Sequence, residues 1–125
     1  MSEAMSDRLD DIITQLRAFV TERDWAQFHD PKNLAMAVAS EAGELLAEYR
    51  WIASARADAW SSEQVNKQRV AMEAADVGIS LLLLCDRVGI DLVEAISEKI
   101  SINARNYPVD VSKGRDSRPD ASSVY

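Results

Sequence analysis

The chain has 125 residues, enough for one domain with a sizeable core and too few for two independent ones. It is 47% hydrophobic with only 4 glycines and 3 prolines, and its β-branched residues are scattered, a balance that favours an all-α fold over a sheet. A formal charge of −7 argues against binding to nucleic-acid polymers or a membrane surface, though a metal-neutralised site still accepts a small anion.

A first helix is predicted to begin near Ser6, with Asp7 in its opening turn. Leu9, Ile12, Ile13, Leu16, Phe19 and Val20 recur at three- and four-residue steps, giving one apolar stripe that ends by Arg23. Asp24 to His29 shows no helical period. Trp25 and Phe28 there either pin a loop to the core or line a pocket for a planar ligand. Asp30-Pro31 signals a second helix, expected to run to about Ile52. Leu34, Val38, Glu41 and Leu45 share a narrow sector of it, so Glu41 points inward with the apolar residues. Glu44 lies about 60° to one side. Glu48 falls between them in angle and either joins them or reaches solvent, and Trp51 returns to the side of Glu44.

Residues 53–61 read as a loop. Ser61 and Gln64 form a capping box that opens a third helix, which runs to Val88 and stops at Gly89. Val65, Met72, Asp76 and Leu83 share one of its stripes, and Glu73 sits beside Val77, Ser80 and Leu84, so both acids are expected on the buried side. Cys85, alone in the chain, reads as a buried apolar filler. A single cysteine allows no intrachain disulfide and fits a reducing compartment. The apolar run from Ile79 to Cys85 is far shorter than the ~20 residues a spanning helix needs. The polar, acidic start of the chain does not resemble a signal peptide, so a soluble, cytoplasmic protein is expected.

Asp91 caps a fourth helix with Leu92, Ala95, Ile96 and Ile100 as its core face, ending before Pro108. Lys99, Asn103 and Tyr107 follow at intervals of four. They form either a solvated edge or a ridge of donors for phosphate oxygens. From Val109 onward the chain is polar and without period, so residues 109–125 are expected to be a flexible tail after a catalytic region of residues 1–108.

The chemistry centres on Glu41-x-x-Glu44 and Glu73-x-x-Asp76, each of which places two carboxylates on one helical face. Bringing the pairs together concentrates four negative charges, which repulsion and desolvation oppose unless a cation sits among them. Hard oxygen donors select magnesium, manganese or calcium, and the lone histidine, His29, argues against zinc. No Ser or Cys nucleophile with a histidine base, no phosphate-binding P-loop and no Glu-x-x-His motif of a di-iron bundle is evident. What remains is magnesium-assisted chemistry on a phosphate chain.

The chain also carries Glu22-Arg23-Asp24-Trp25-Ala26-Gln27-Phe28-His29, Asn33-Leu34-Ala35, Glu41-Ala42-Gly43-Glu44-Leu45 and Tyr49-Arg50-Trp51. Further on come Glu73-Ala74-Ala75-Asp76-Val77, Lys99-Ile100-Ser101-Ile102-Asn103 and Asn106-Tyr107-Pro108. In order and spacing this series resembles the MazG-type all-α nucleoside triphosphate pyrophosphohydrolases, and within them the compact dCTP pyrophosphatase branch. The resemblance runs from about Leu9 to Pro108, and the Arg-Asp-Trp-x-Gln-Phe-His run is its most specific part. It implies a four-helix core that assembles as a homodimer or homotetramer, with sites built across subunits. It also implies dependence on Mg2+, with Mn2+ as the other candidate ion. The implied reaction takes a (deoxy)nucleoside triphosphate, dCTP or a modified dCTP, to monophosphate and pyrophosphate, in cleaning of the nucleotide pool.

By the same resemblance Glu41, Glu44, Glu73 and Asp76 bind the metal and carry catalysis. Lys99, Asn103 and Tyr107 contact phosphates, and Trp25 and Trp51 flank the base. Gly78 and Ser80 stand where close relatives often carry bulkier residues, which bears on base selectivity. Tyr125 follows Val124 where a basic residue is common, which bears on closure of the site by the tail. Two other readings compete. One is a phosphoribosyl-ATP pyrophosphohydrolase on the same fold, which the tryptophan pair disfavours. The other is a non-catalytic acidic helical oligomerisation module.

Overall fold

The computed structural model describes residues 3–116, and every regular element among them is helical, as the composition requires. Tyr125 and the end of the tail lie outside the described residues. The long helices are α1 (Glu3–Glu22), α2 (Pro31–Tyr49), α4 (Gln64–Val88) and α5 (Leu92–Asn106); α3 (Ala57–Ser62) and α6 (Val109–Ser112) are short. Single 3-10 turns occupy Ala26–Phe28 and Ser54–Arg56. The chain divides into two compact units, one running through Ile90 and the other starting at Asp91.

In the first unit α2 and α4 pack along one another, and α1 and α3 both touch α4. α2 starts as its sequence dictates: the Asp30 carboxylate accepts the Asn33 N–H at 3.0 Å, and Pro31 occupies the first turn. It ends at Tyr49 rather than Ile52, because the Ile52 N–H closes a tight turn onto the Tyr49 carbonyl at 2.8 Å. The following stretch is not a loop, contrary to expectation. Tyr49 holds α3 in place through a 2.7 Å bond between its hydroxyl and that of Ser61, and its ring meets Trp60 edge-on at 5.1 Å. A six-residue helix is too short to show an apolar period.

The capping box at Ser61 is also corrected. Ser61 belongs to α3, and α4 begins at Gln64 after an extended Glu63 that makes no side-chain cap. Ser62 instead donates back to the Ala59 carbonyl at 2.8 Å, and Asn66 to that of Trp60 at 3.0 Å. The far end of α4 matches its sequence: Gly89 adopts φ +76°, and the Ile90 N–H returns to the Cys85 carbonyl at 2.8 Å.

Among the described residues Val20, Leu34 and Cys85 are the buried apolar ones, and Ser80 is buried as well. Burial pushes the Cys85 thiol pKa up, as suits a filler rather than a nucleophile. Of the expected α4 stripe, Val65, Met72 and Asp76 are exposed, and only Leu83 toward its far end is half-buried. Met36, Leu46 and Ile79 are exposed as well. An apolar period marks a face that something covers, and here α2 and α4 alone do not cover it.

Arg17 on α1 grips Asp86 on α4, its Nε donating at 3.0 Å to one oxygen while Nη2 reaches the other. This hydrogen bond, reinforced by charge and opposed by burial, holds the Asp86 carboxyl below its ordinary value. The stability it contributes is complete above the unfolded-state value and disappears as pH falls through the lower folded value. Solvent screens the largely exposed Arg17, so the effect is small. Asp86→Asn is therefore expected to lower stability slightly at neutral pH. It should also flatten the acid limb of a denaturant titration carried below the ordinary value of 3.8.

In the second unit the Asp91 carboxylate caps α5 by accepting the Glu94 N–H at 3.0 Å. The helix ends at Asn106, ahead of Pro108 as expected. One further helical turn, α6, interrupts the stretch expected to be a tail from Val109, and the rest of that stretch lies partly outside the described residues.

Candidate active site

The packing of α2 against α4 brings Glu41, Glu73 and Asp76 together: each offers a carboxylate oxygen, and these oxygens lie within 4.8 Å of one another. Glu41 and Glu73 are half-buried, whereas Asp76 is exposed, contrary to the expectation that both acids of α4 face inward. Asp76 follows the uncovered Met72 stripe, which explains the difference. Glu44 is exposed and stands outside the three-oxygen group. Its charge nonetheless reaches Glu73.

Glu73 carries the electrostatic signature of this crowding. Burial raises its pKa above the ordinary value, and the charges of Asp76, Glu44, Glu48 and Glu41 raise it further. Three hard oxygens converging in a half-buried seam fit a divalent cation of the magnesium, manganese or calcium kind. Without such an ion, ionised Glu73 destabilises the fold, because its folded value lies above its unfolded one. That penalty is absent at low pH and grows as pH rises through the interval between the two values. Glu73→Gln is thus expected to raise the thermal midpoint of the metal-free protein at neutral pH, with the gain vanishing in acid.

At the other end of α2 stands the aromatic turn. Asp24 takes φ +52°, closing α1 with bonds from its own N–H to the Thr21 carbonyl and from the Trp25 N–H to the Val20 carbonyl. Gln27 locks this strained corner by donating to the Asp24 carbonyl at 3.0 Å and to its carboxylate at 3.2 Å. Asn33 ties the turn to α2 through the Phe28 carbonyl at 3.1 Å, and Arg87 on α4 donates to the Ala26 carbonyl at 3.3 Å. Trp25 meets Phe19 edge-on at 5.6 Å, and Arg23 lies 3.7 Å over the same Phe19 ring. The turn is braced from three helices, yet Trp25 and Phe28 remain exposed. A braced, exposed aromatic edge is suited to stacking.

Trp51 is 84% exposed just beyond the opposite end of α2. The rise of 1.5 Å per residue puts the two ends of that helix about 27 Å apart. Trp25 and Trp51 thus lie beyond opposite ends of α2. On α5, Lys99 and Tyr107 are half-buried and Asn103 is exposed at the same four-residue spacing. His29 is half-buried beside the aromatic turn. Two roles escape the sequence: the turn-locking bonds of Gln27 and Asn33, and the destination of Glu48, which reaches neither solvent nor the three-oxygen group. Glu48 pairs with Arg69 at 3.1 Å.

A fold all-helical among the described residues, carboxylates gathered between two long packed helices and a braced Arg-Asp-Trp-x-Gln-Phe-His turn define a recognisable class. The chain belongs to the MazG-like family, whose model matches residues 36–119. It is similar to dCTP pyrophosphatase 1 of Rattus norvegicus, with 39% identity over 110 residues, 85% of this chain and 62% of that protein. The Homo sapiens protein of the same name is 37% identical over 109 residues, 84% of this chain and 62% of that one. The chain thus spans about 62% of the length of these curated relatives. Among solved structures, a pyrophosphatase from Archaeoglobus fulgidus superposes with a TM-score of 0.73 at 37% identity, over 86% of this chain and 95% of its own.

Proposed function

We propose that this chain is a Mg2+-dependent nucleoside triphosphate pyrophosphohydrolase that converts dCTP or a modified dCTP to monophosphate and pyrophosphate, cleaning the nucleotide pool. The observation that carries the reading is the convergence of Glu41, Glu73 and Asp76 within 4.8 Å. Membership of the MazG-like family and likeness to proteins named dCTP pyrophosphatase support it. Glu41, Glu73 and Asp76, with Glu44 at their edge, would hold Mg2+ or Mn2+. When bound, the ion supplies charge stabilisation for phosphate oxygens and acidifies water.

The protein's own part is to position the substrate and take up a proton. Of Glu41 and Glu44, the two candidates for accepting the proton of a water attacking the α phosphorus in line, Glu44 at the edge of the three-oxygen group is the one assigned that role in this proposal. Lys99, Asn103 and Tyr107 contribute donors for the phosphate chain, Lys99 as a point charge and the others as neutral donors. Trp25 and Trp51 stack on the base. Since they flank opposite ends of one helix, the clamp combines Trp25 of one copy with Trp51 of another. The exposed Met36, Leu46, Val65, Met72 and Ile79 support a homodimer or homotetramer.

No described helix is long and apolar enough to cross a membrane, and a lone, buried, unpaired cysteine is consistent with the cytoplasm. A panel of canonical and modified triphosphates, alongside phosphoribosyl-ATP, assayed for pyrophosphate release tests the substrate class. Preference for cytosine triphosphates supports the proposal, and preference for phosphoribosyl-ATP overturns it.

A further inference from the structure

Glu48 and Arg69 meet one layer beyond the three-oxygen group. Glu48 is one helical turn after Glu44 on α2, and Arg69 is one turn before Glu73 on α4. Arg69 Nη2 lies 3.1 Å from Glu48 Oε2 and 3.5 Å from Oε1, so one nitrogen addresses both oxygens. The Glu48 side chain is only 13% exposed, whereas that of Arg69 is 61% exposed. The carboxylate therefore sits in the α2–α4 seam and the guanidinium covers it from outside. A carboxylate so covered, among other acids, needs a countercharge to stay ionised. It is close enough that its charge bears on Glu73 together with those of Glu41, Glu44 and Asp76. The proposed reaction assigns this pair no role.

We propose that Arg69 is a positioning residue that withholds Glu48 from the metal centre, keeping the number of protein carboxylates low. The inference rests on the metal-binding reading given above. Magnesium holds a strict octahedron and retains several waters, binding through few carboxylates, whereas calcium accepts six to eight oxygens in a looser shell. A further carboxylate turning in from the next layer displaces water and favours the larger ion. Arg69 engages both Glu48 oxygens and so opposes that turn.

The test is calorimetric titration of the full chain with Mg2+ and, separately, Ca2+. It compares wild type, Arg69→Gln, Glu48→Gln and the double variant, with Arg69→Met as a second neutral replacement and circular dichroism as the check of folding. Freeing Glu48 in Arg69→Gln is expected to tighten Ca2+ binding by about tenfold and Mg2+ by less. Glu48→Gln alone should change either affinity by less than about threefold, and the double variant should return to that range. The signature is the coupling: loss of Glu48 matters only where Arg69 is absent. If Glu48→Gln weakens binding equally in both backgrounds, Glu48 already serves the ion and the inference fails. Wild-type affinities in both neutral Arg69 variants also overturn it, leaving the pair as a strut between helices. A wild-type chain that takes up neither ion removes the metal centre itself, and that outcome is visible before any variant is made.

Discussion

Glu41→Gln and Asp76→Asn are each expected to lower magnesium-dependent turnover by about a thousandfold, the loss that several kcal/mol of metal-borne charge stabilisation implies. Both substitutions keep size and shape, so the helices should remain folded. Metal affinity should fall with turnover, since each residue supplies one of the three converging oxygens. Glu44→Gln should behave differently. As a proton acceptor outside that group it should lose turnover while retaining most of the metal affinity. Steady-state kinetics paired with metal titration separates the two patterns. Full activity in Glu41→Gln and Asp76→Asn would sink the proposed centre.

Removing either tryptophan is expected to raise KM for the preferred triphosphate by roughly ten- to a hundredfold, as the ~1–3 kcal/mol of base–aromatic stacking predicts. The decisive form of the experiment mixes the two variants. Trp25 and Trp51 of one chain flank opposite ends of α2, and the proposed clamp draws one ring from each of two copies. A mixed oligomer of Trp25→Ala and Trp51→Ala chains should therefore regain intact sites, each joining Trp25 of one chain to Trp51 of the other. Mixing should recover a fraction of wild-type activity that neither variant shows alone. No recovery in a mixture shown to contain hybrid oligomers would mean that the two rings do not share a base.

Much of this was legible in the residues because it follows from local periodicity. The i, i+3 spacing of the acids places each pair on one helical face, and the inward sectors of Leu34 and Glu41 agree with their burial. Asp30-Pro31 and Gly89 mark helix ends by chemistry that acts within a few residues. Features that depend on distant partners were not legible. Nothing in the local period says that Arg69 takes Glu48 across the α2–α4 seam, or that Asn33 reaches back to the Phe28 carbonyl. The Val65 and Met72 stripe shows the opposite problem. Its apolar period is clear, but a period cannot say what covers the face, and within one chain the face stays open. Gly78 leaves open space for a Cβ, so its size alone does not define a pocket within one chain.

The acids of α2 and α4 are proposed to serve metal-dependent cleavage of a triphosphate between its α and β phosphorus atoms. Phosphorus NMR of dCTP incubated with this chain, with and without Mg2+, follows that cleavage. Equal amounts of dCMP and pyrophosphate are expected, formed only when the metal is present. Release of dCDP and orthophosphate, or the same rate in the presence of a chelator, would contradict the proposal.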